Sequence, residues 1–176
     1  MSQVTAPGEI AKWERRQTFL PLVSAGQHPV FLDETNTLRA LVAPNFDGGK
    51  VAFLPFEAKA LVSAANQTSA RVFPKNFGLR QLEVEVEASE PSLLVVSQTY
   101  YHCWRAFVDE QPARLLRANY AFQAVQFTAG RHRVRLAYED RAFRLGAVVS
   151  GLTLLGCVAA PARGRAKWPL GKRINS

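Results

Sequence analysis

Hydrophobic and polar positions alternate most strictly in two stretches. Leu82-Glu83-Val84-Glu85-Val86-Glu87 switches at every residue. Arg131–Tyr138 does the same, with His132, Val134, Leu136 and Tyr138 on one face and Arg131, Arg133 and Arg135 on the other. A period of two is that of a strand with one buried and one wet face. Leu93-Leu94-Val95-Val96 has no alternation, which suits a short strand covered on both faces. Phe19–Val23 and Val51–Phe56 are further apolar elements, and Ala58–Ser69 reads as a loop or loosely ordered strand. Trp104–Val108 and Ala113–Leu116 flank Asp109-Glu110-Gln111-Pro112, and Tyr120–Thr128 and Arg131–Tyr138 flank Ala129-Gly130; both predict hairpins. Asp33–Val42 predicts a short helix, capped by Asp33 or Thr35 and striped by Leu38, Leu41 and Val42. It stops before Pro44, and Asp47-Gly48-Gly49 is a turn. The pattern predicts a mainly β chain: an antiparallel β-sandwich of jelly-roll or Ig-like type over residues 1–140, with one short N-terminal helix.

The pattern then changes. Leu145–Ala162 is uncharged and carries Leu145, Val148, Val149, Leu152, Leu154, Leu155 and Val158. A lipid-spanning helix needs about 20 mostly apolar residues. With Ala142, Phe143 and a snorkelling Arg144 the segment reaches that length. Residues 141–162 are therefore expected to form one C-terminal transmembrane helix, and Gly146, Ser150, Gly151 and Gly156 give it a small-residue face suited to packing against other membrane helices. A buried core helix in a soluble protein is the alternative. Trp168, a candidate interface anchor, and the basic tail favour the membrane.

Charge sharpens this division. Of 22 basic and 14 acidic residues, 17 and 14 lie before Pro161, leaving +3 there. Arg163, Arg165, Lys167, Lys172 and Arg173 add +5 without an acid. The net +8 is mostly a tail, assigned here as a cytoplasmic segment 163–176, and not a uniform nucleic-acid surface. Charge alone does not orient the helix, because Arg131, Arg133, Arg135 and Arg141 precede it at similar distance. Met1–Lys12 has no apolar stretch of the signal-peptide kind. Cys103 and Cys157 belong to no metal-ligand spacing, so no metal site and two free thiols are expected.

Candidate chemistry is sparse. There is no phosphate-binding glycine loop, GxSxG or HExxH, and no cofactor is expected. His28, His102 and His132 are scattered, and a Cys103–His102 dyad is disfavoured because neighbours on a strand face opposite ways. Asp33, Asp47, Asp109 and Asp140 fall at turns or caps. The dense region is Tyr100, Tyr101 and Trp104, followed by Arg117, Asn119, Tyr120 and Phe122. Aromatic rings beside Arg and Asn can stack on a sugar or a lipid headgroup; they can equally form a sandwich core with its polar tips satisfied.

These residues carry a resemblance. Ser97–Asp109 resembles the S-x-x-Y-Y-P-G-W-x-A-x-V-D signature of the bacterial YfhO-like membrane proteins, with His102-Cys103 in place of Pro-Gly. Arg117-Ala118-Asn119-Tyr120-Ala121-Phe122 is similar to their R-A-N-Y-A-F-R. Ala129–Val134 with Tyr138, Arg141, Phe143 and Gly146 is similar to A-G-x-H-x-V … Y-x-P-R-x-F-x-x-G, with Asp140 replacing a Pro. Leu41–Gly48 resembles L-x-x-P-x-F-D, and the likeness covers roughly Leu38 to Leu155. The resemblance implies a large polytopic protein of the bacterial cytoplasmic membrane, similar to GT-C glycosyltransferases that use lipid-linked sugars, some acting on lipoteichoic-acid-type envelope polymers. It implies catalytic acids in early extracytoplasmic loops, so none is carried over to this chain. The chain is then expected to be the C-terminal extracytoplasmic domain and last membrane helix of such a protein, non-catalytic. Its implied partners are the lipid bilayer, the polytopic region and an envelope glycan or lipid-linked sugar, with no nucleic acid. A glycan-binding module and a purely structural domain are the rival readings.

Overall fold

The computed structural model describes residues 19–164, with side chains described at 19–140 and 142–157. The expectations for Met1–Lys12 and for the charges of the basic tail lie outside these residues. Two units are described separately, one ending at Ala137 and one beginning at Tyr138.

Among the described residues the first unit contains eleven strands: β1 Val23–Ala25, β2 His28–Phe31, β3 Val51–Leu54, β4 Ala70–Phe77, β5 Gln81–Ala88, β6 Ser92–Val96, β7 Trp104–Val108, β8 Gln111–Ala113, β9 Leu115–Ala118, β10 Phe122–Phe127 and β11 Gly130–Tyr138. They form a four-stranded sheet β1-β6-β10-β9, a five-stranded sheet β4-β5-β11-β7-β8 and a two-stranded ribbon β2-β3. In the five-stranded sheet Leu82, Val84, Val86, Val134 and Leu136 are buried while the alternate acids and arginines are not, as the period of two requires. β1 lies beside β4 and β7 beside β9, so the two larger sheets face each other edge for edge as a sandwich.

β6 is buried at every position. Leu93 and Val95 pack with Leu116, Ala118 and Ala124 against Ala52 and Leu54 of β3, Ala58 and Ala64. Leu94, Val96 and Val125, on the opposite face, are also fully buried. The four-stranded sheet is thus covered twice, by the five-stranded sheet and by a third layer of β2, β3 and a 3-10 helix, Phe56–Leu61. Helix α1, Glu34–Leu41, follows β2, and Asp33 caps it by accepting the Asn36 N–H at 2.8 Å.

Several expectations are corrected. The ribbon β2-β3 is parallel, so the fold is not wholly antiparallel. Ala129-Gly130 does not close a hairpin: β10 is paired on both sides by β6 and β9, and the chain crosses there to the other sheet, where β11 pairs β5. The hairpin after Trp104 is tighter than Asp109–Pro112. Asp109 and Glu110 alone turn, at φ 51° and 63°, and Val108 pairs Gln111. Positive φ at both central residues is the primed-turn pattern that matches strand twist. Pro112 then sits in β8, an edge strand where a missing N–H is tolerated. Leu115 and Leu116 consequently lie in β9 of the opposite sheet. Phe19–Val23 is not a strand until its last residue. β4, in a stretch for which the sequence pattern predicts no element, is also an edge strand, bulged between Pro74 and Asn76.

In the second unit α2 runs from Arg141 to Gly164. Asp140 accepts the Phe143 N–H at 2.8 Å and so caps its first turn. Phe143, Leu145, Val148, Val149, Leu152, Leu154 and Leu155 are all exposed. Among the described residues no helix is long and apolar enough to cross a membrane.

Trp104 opens β7 and is 7% exposed. In residues 1–140, Trp104→Ala is expected to cost about 3–5 kcal/mol, as for other large core truncations. Equilibrium denaturation measures it; a loss below about 1 kcal/mol would mean that the indole is not a core group.

Candidate functional site

The segment between β6 and β7 is held by backbone and side-chain bonds. Ser97 N–H donates to Leu22 O at 2.8 Å, Tyr100 N–H to Ala121 O at 2.6 Å, and the buried Gln123 donates from Nε2 to Thr99 O at 2.9 Å. Trp104 N–H donates to Tyr101 O at 3.0 Å, so His102-Cys103 form a turn even without Pro-Gly. Within it Cys103 is buried and His102 exposed, and Cys103 and Cys157 are both free thiols.

The β9–β10 connection is the more unusual element. Asn119 and Tyr120 have φ of 46° and 69°, a left-handed conformation that is costly for a bulky residue. Asn119 fixes it by a reciprocal clamp. Its N–H donates to Phe53 O at 2.8 Å, and its Oδ1 accepts the Phe53 N–H at 2.9 Å. The clamp ties the turn to β3 and presents the exposed Tyr120 ring beside Arg117, whose Cζ lies 5.9 Å from the ring centroid. Arg117 also pairs with Glu34 at the start of α1.

These groups line a cleft of 250 Å³ floored by Leu32, Phe53 and Leu54 and walled by Asp33, Glu34, Phe56, Glu57, Arg117 and Tyr120. A second depression of 270 Å³ shares Pro55, Glu57 and Arg117 with it and adds Tyr100, Arg114 and Leu115. The two depressions adjoin through Pro55, Glu57 and Arg117, with Tyr120 lining one and Tyr100 the other, and together they are called the groove. Apolar floor, rings and a few charged groups are the makings of a polar-ligand site.

The sequence-predicted cluster therefore divides. Arg117 lines both depressions, with Tyr120 in the first and Tyr100 in the second. Asn119 and Phe122 support it, Phe122 packing against the core beneath the ribbon. Tyr101 lies over His102 with ring centroids 4.3 Å apart, and Trp104 is in the core. Glu34, Phe56, Glu57 and Arg114 were not singled out from sequence. Glu34, Phe56 and Glu57 lie 40 or more residues before Ser97, where the tyrosine motif begins, and the third layer brings them to it; Arg114 lies three residues before Arg117 but outside the motif.

All four aspartates serve turns or caps. Asp33 and Asp140 cap helices, and Asp47 accepts the Gly49 N–H at 2.9 Å. Hydrogen bonding by Asn36 N–H holds the Asp33 carboxyl below its ordinary value. Asp109 does more than turn the chain. Its Oδ2 meets His132 Nδ1 at 2.6 Å, its Oδ1 accepts the Arg133 N–H at 2.8 Å, and its own N–H donates to Arg133 O at 2.8 Å. His132 Nε2 approaches Thr128 Oγ1 at 3.0 Å and Ala129 O at 3.3 Å. Carboxylate, imidazole and hydroxyl follow the order of a nucleophilic triad. Here, with both Asp109 oxygens engaged and the ring also against a backbone carbonyl, the set is a clamp between the β7–β8 turn and the β10–β11 crossover.

The His132 bond, then the Arg133 N–H, holds the Asp109 carboxyl below its ordinary value. A carboxyl depressed on folding stabilises the fold above its unfolded pKa, and that contribution is lost as pH falls through the folded one. From about pH 4 downward the wild type should therefore lose stability more steeply than Asp109→Asn. Urea midpoints across the acid range test this; parallel curves would remove Asp109 from the acid response.

A family model described as "Bacterial membrane protein YfhO" matches residues 37–150, which take in the groove apart from Leu32, Asp33 and Glu34, the clamp and the start of α2. No curated protein and no solved structure matches the chain.

Proposed function

The chain belongs to the bacterial YfhO membrane-protein family, and from that premise we propose that it is a non-catalytic, extracytoplasmic β-domain with a membrane helix, assisting glycosyl transfer to a cell-envelope polymer of the lipoteichoic-acid type. One observation carries the reading: two adjoining depressions that share Arg117, one lined by Tyr120 and the other by Tyr100. Tyrosine rings offer apolar faces to sugar C–H groups. Arg114 and Arg117 offer donors to phosphate or hydroxyl oxygens, and Asp33, Glu34 and Glu57 offer acceptors to hydroxyls. A phosphate-containing glycan or the head of a lipid-linked sugar meets all three chemistries. In this reading the groove holds the acceptor, while the transfer itself belongs to the family's polytopic region.

The membrane helix of the proposal is α2. Its twenty-four residues rise about 36 Å at 1.5 Å each, enough length for the roughly 30 Å of a hydrocarbon core, although its described residues do not combine that length with the apolar character of a spanning helix. The uncharged run Leu145–Ala162 continues beyond the described side chains, and the large apolar residues of the described part are exposed all along it. Gly146, Gly151 and Gly156 face open space, which would allow close approach by helices of the polytopic region. A second reading, a structural domain without ligand, draws on the buried Trp104 and the use of Asn119 as a clamp.

Binding separates the two. The full chain in detergent, titrated calorimetrically with glycerol-phosphate oligosaccharides and with polyprenyl-phosphate sugars, should bind at least one. Tyr120→Ala and Arg117→Gln should each weaken that binding about tenfold, the worth of one lost charged or stacking contact. Wild type that binds neither probe, or variants that bind like wild type, would favour the structural domain.

Topology is tested independently. The proposal places residues 163–176 in the cytoplasm, so a thiol introduced at Ser176 should resist a membrane-impermeant reagent in intact cells and react after lysis. Reaction in intact cells would reverse the orientation.

A further inference from the structure

The β4–β5 hairpin ends in a tip unlike the rest of the sandwich surface. Phe77 closes β4, pairs Leu82 of β5, and is 49% exposed; Leu79 in the turn is 99% exposed. Two large apolar side chains therefore project from one turn into solvent. Basic residues flank them. Lys75 lies in the bulge two residues before Phe77, and Arg80 follows Leu79. Lys75 is partly neutralised by Glu85 at 3.2 Å, and Arg80 has no acidic partner among the described residues.

A protein strand is a poor occupant for this part of the molecule. β4 is the edge of its sheet, and Pro74 and the bulge between Pro74 and Asn76 interrupt the row of backbone groups that a pairing strand would need. The tip itself has the chemistry of an interfacial anchor. Apolar side chains enter the acyl boundary while neighbouring basic groups stay at the level of anionic headgroups. One backbone amide of the turn is already paired, Gly78 N–H donating to Gln81 O at 2.8 Å. An amide left unpaired in lipid would oppose insertion.

We propose that the β4–β5 tip, through Phe77 and Leu79 with Lys75 and Arg80, docks into the interface of an anionic lipid bilayer. The occupant is lipid because the tip combines exposed apolar bulk with the unpaired charge of Arg80 and the partly neutralised Lys75, and because the family is a membrane one. The proposal is independent of what the groove binds. It gives the β-domain its own contact with the bilayer, in addition to any anchor supplied by α2.

The test uses the full chain with Cys157→Ser and a single new thiol at Leu79, Cys103 being buried. An environment-sensitive fluorophore is attached and the protein reconstituted into vesicles of phosphatidylglycerol and phosphatidylcholine. The label at residue 79 should be blue-shifted, shielded from aqueous iodide and quenched by lipids brominated near the headgroup. The same label at Glu90, in the turn at the other end of β5, should stay accessible to iodide. Adding Arg80→Glu with Lys75→Gln, or replacing the vesicles with phosphatidylcholine alone, should abolish the shielding while far-ultraviolet circular dichroism reports an intact fold. Iodide access at 79 equal to that at 90 in anionic vesicles would overturn the proposal. So would shielding from iodide without quenching by brominated lipid, which would mean a protein partner, or shielding that persists unchanged in neutral lipid.

Discussion

The fold depends on one constraint: the four-stranded sheet is apolar on both faces and must be covered twice. β6 states it most plainly, with Leu93 and Val95 on one side and Leu94 and Val96 on the other, none exposed to more than a trace. Each such side chain gains about 1.5–3 kcal/mol by burial, so neither face can be left to water. The five-stranded sheet covers one face and turns its charged face outward. The other face needs a third layer, and β2, β3 and the 3-10 helix supply it.

The groove is a consequence of that third layer. It lies where the ribbon and α1 meet the exposed edge of β9, and the Asn119 clamp fixes the meeting point. Two consecutive non-glycine residues at positive φ cost energy that the surrounding contacts must offset. Two hydrogen bonds to Phe53 do so, and the result is a tyrosine ring beside an arginine at the mouth of an apolar cleft. In the proposed function this strained turn, held by bonds to a separate layer, would preorganise the binding surface.

The outer face of the five-stranded sheet has a different logic. Arg131 and Lys75 share Glu85, Arg133 reaches Glu83 at 2.7 Å, and Arg135 reaches Glu110 at 2.8 Å while lying 4.1 Å over the Phe107 ring. Arg131 and Arg133, in turn, hold the Glu85 and Glu83 carboxyls below their ordinary values. Exposed ion pairs add little stability singly. Their use here is to fix register between β5 and β11, since a slip of one residue would turn the charges inward. At the hairpin tip Arg80 stands outside this compensation, while Lys75 shares Glu85 with Arg131.

Much of this was legible in the chain. Alternation in Leu82–Glu87 and Arg131–Tyr138 gave both faces of the five-stranded sheet, the unbroken run Leu93–Val96 gave the doubly covered strand, and Asp33 and Asp140 marked helix starts. The tyrosine and R-A-N-Y-A-F motifs identified the family that the match over residues 37–150 shows. These signals are local, because period, capping and motif are written in neighbouring residues. What tertiary structure alone decided is which strands share a sheet. Ala129-Gly130 looks like a hairpin and is a crossover, because β10 already has partners on both sides. Pro112 looks like part of a turn and lies in a strand, as Pro74 does, because an edge excuses the missing N–H. The groove follows the same rule. Glu34, Phe56, Glu57, Arg114, Arg117 and Tyr120 become one surface only when a sheet with two apolar faces draws a third layer over itself, and burial of that kind has no period along the chain.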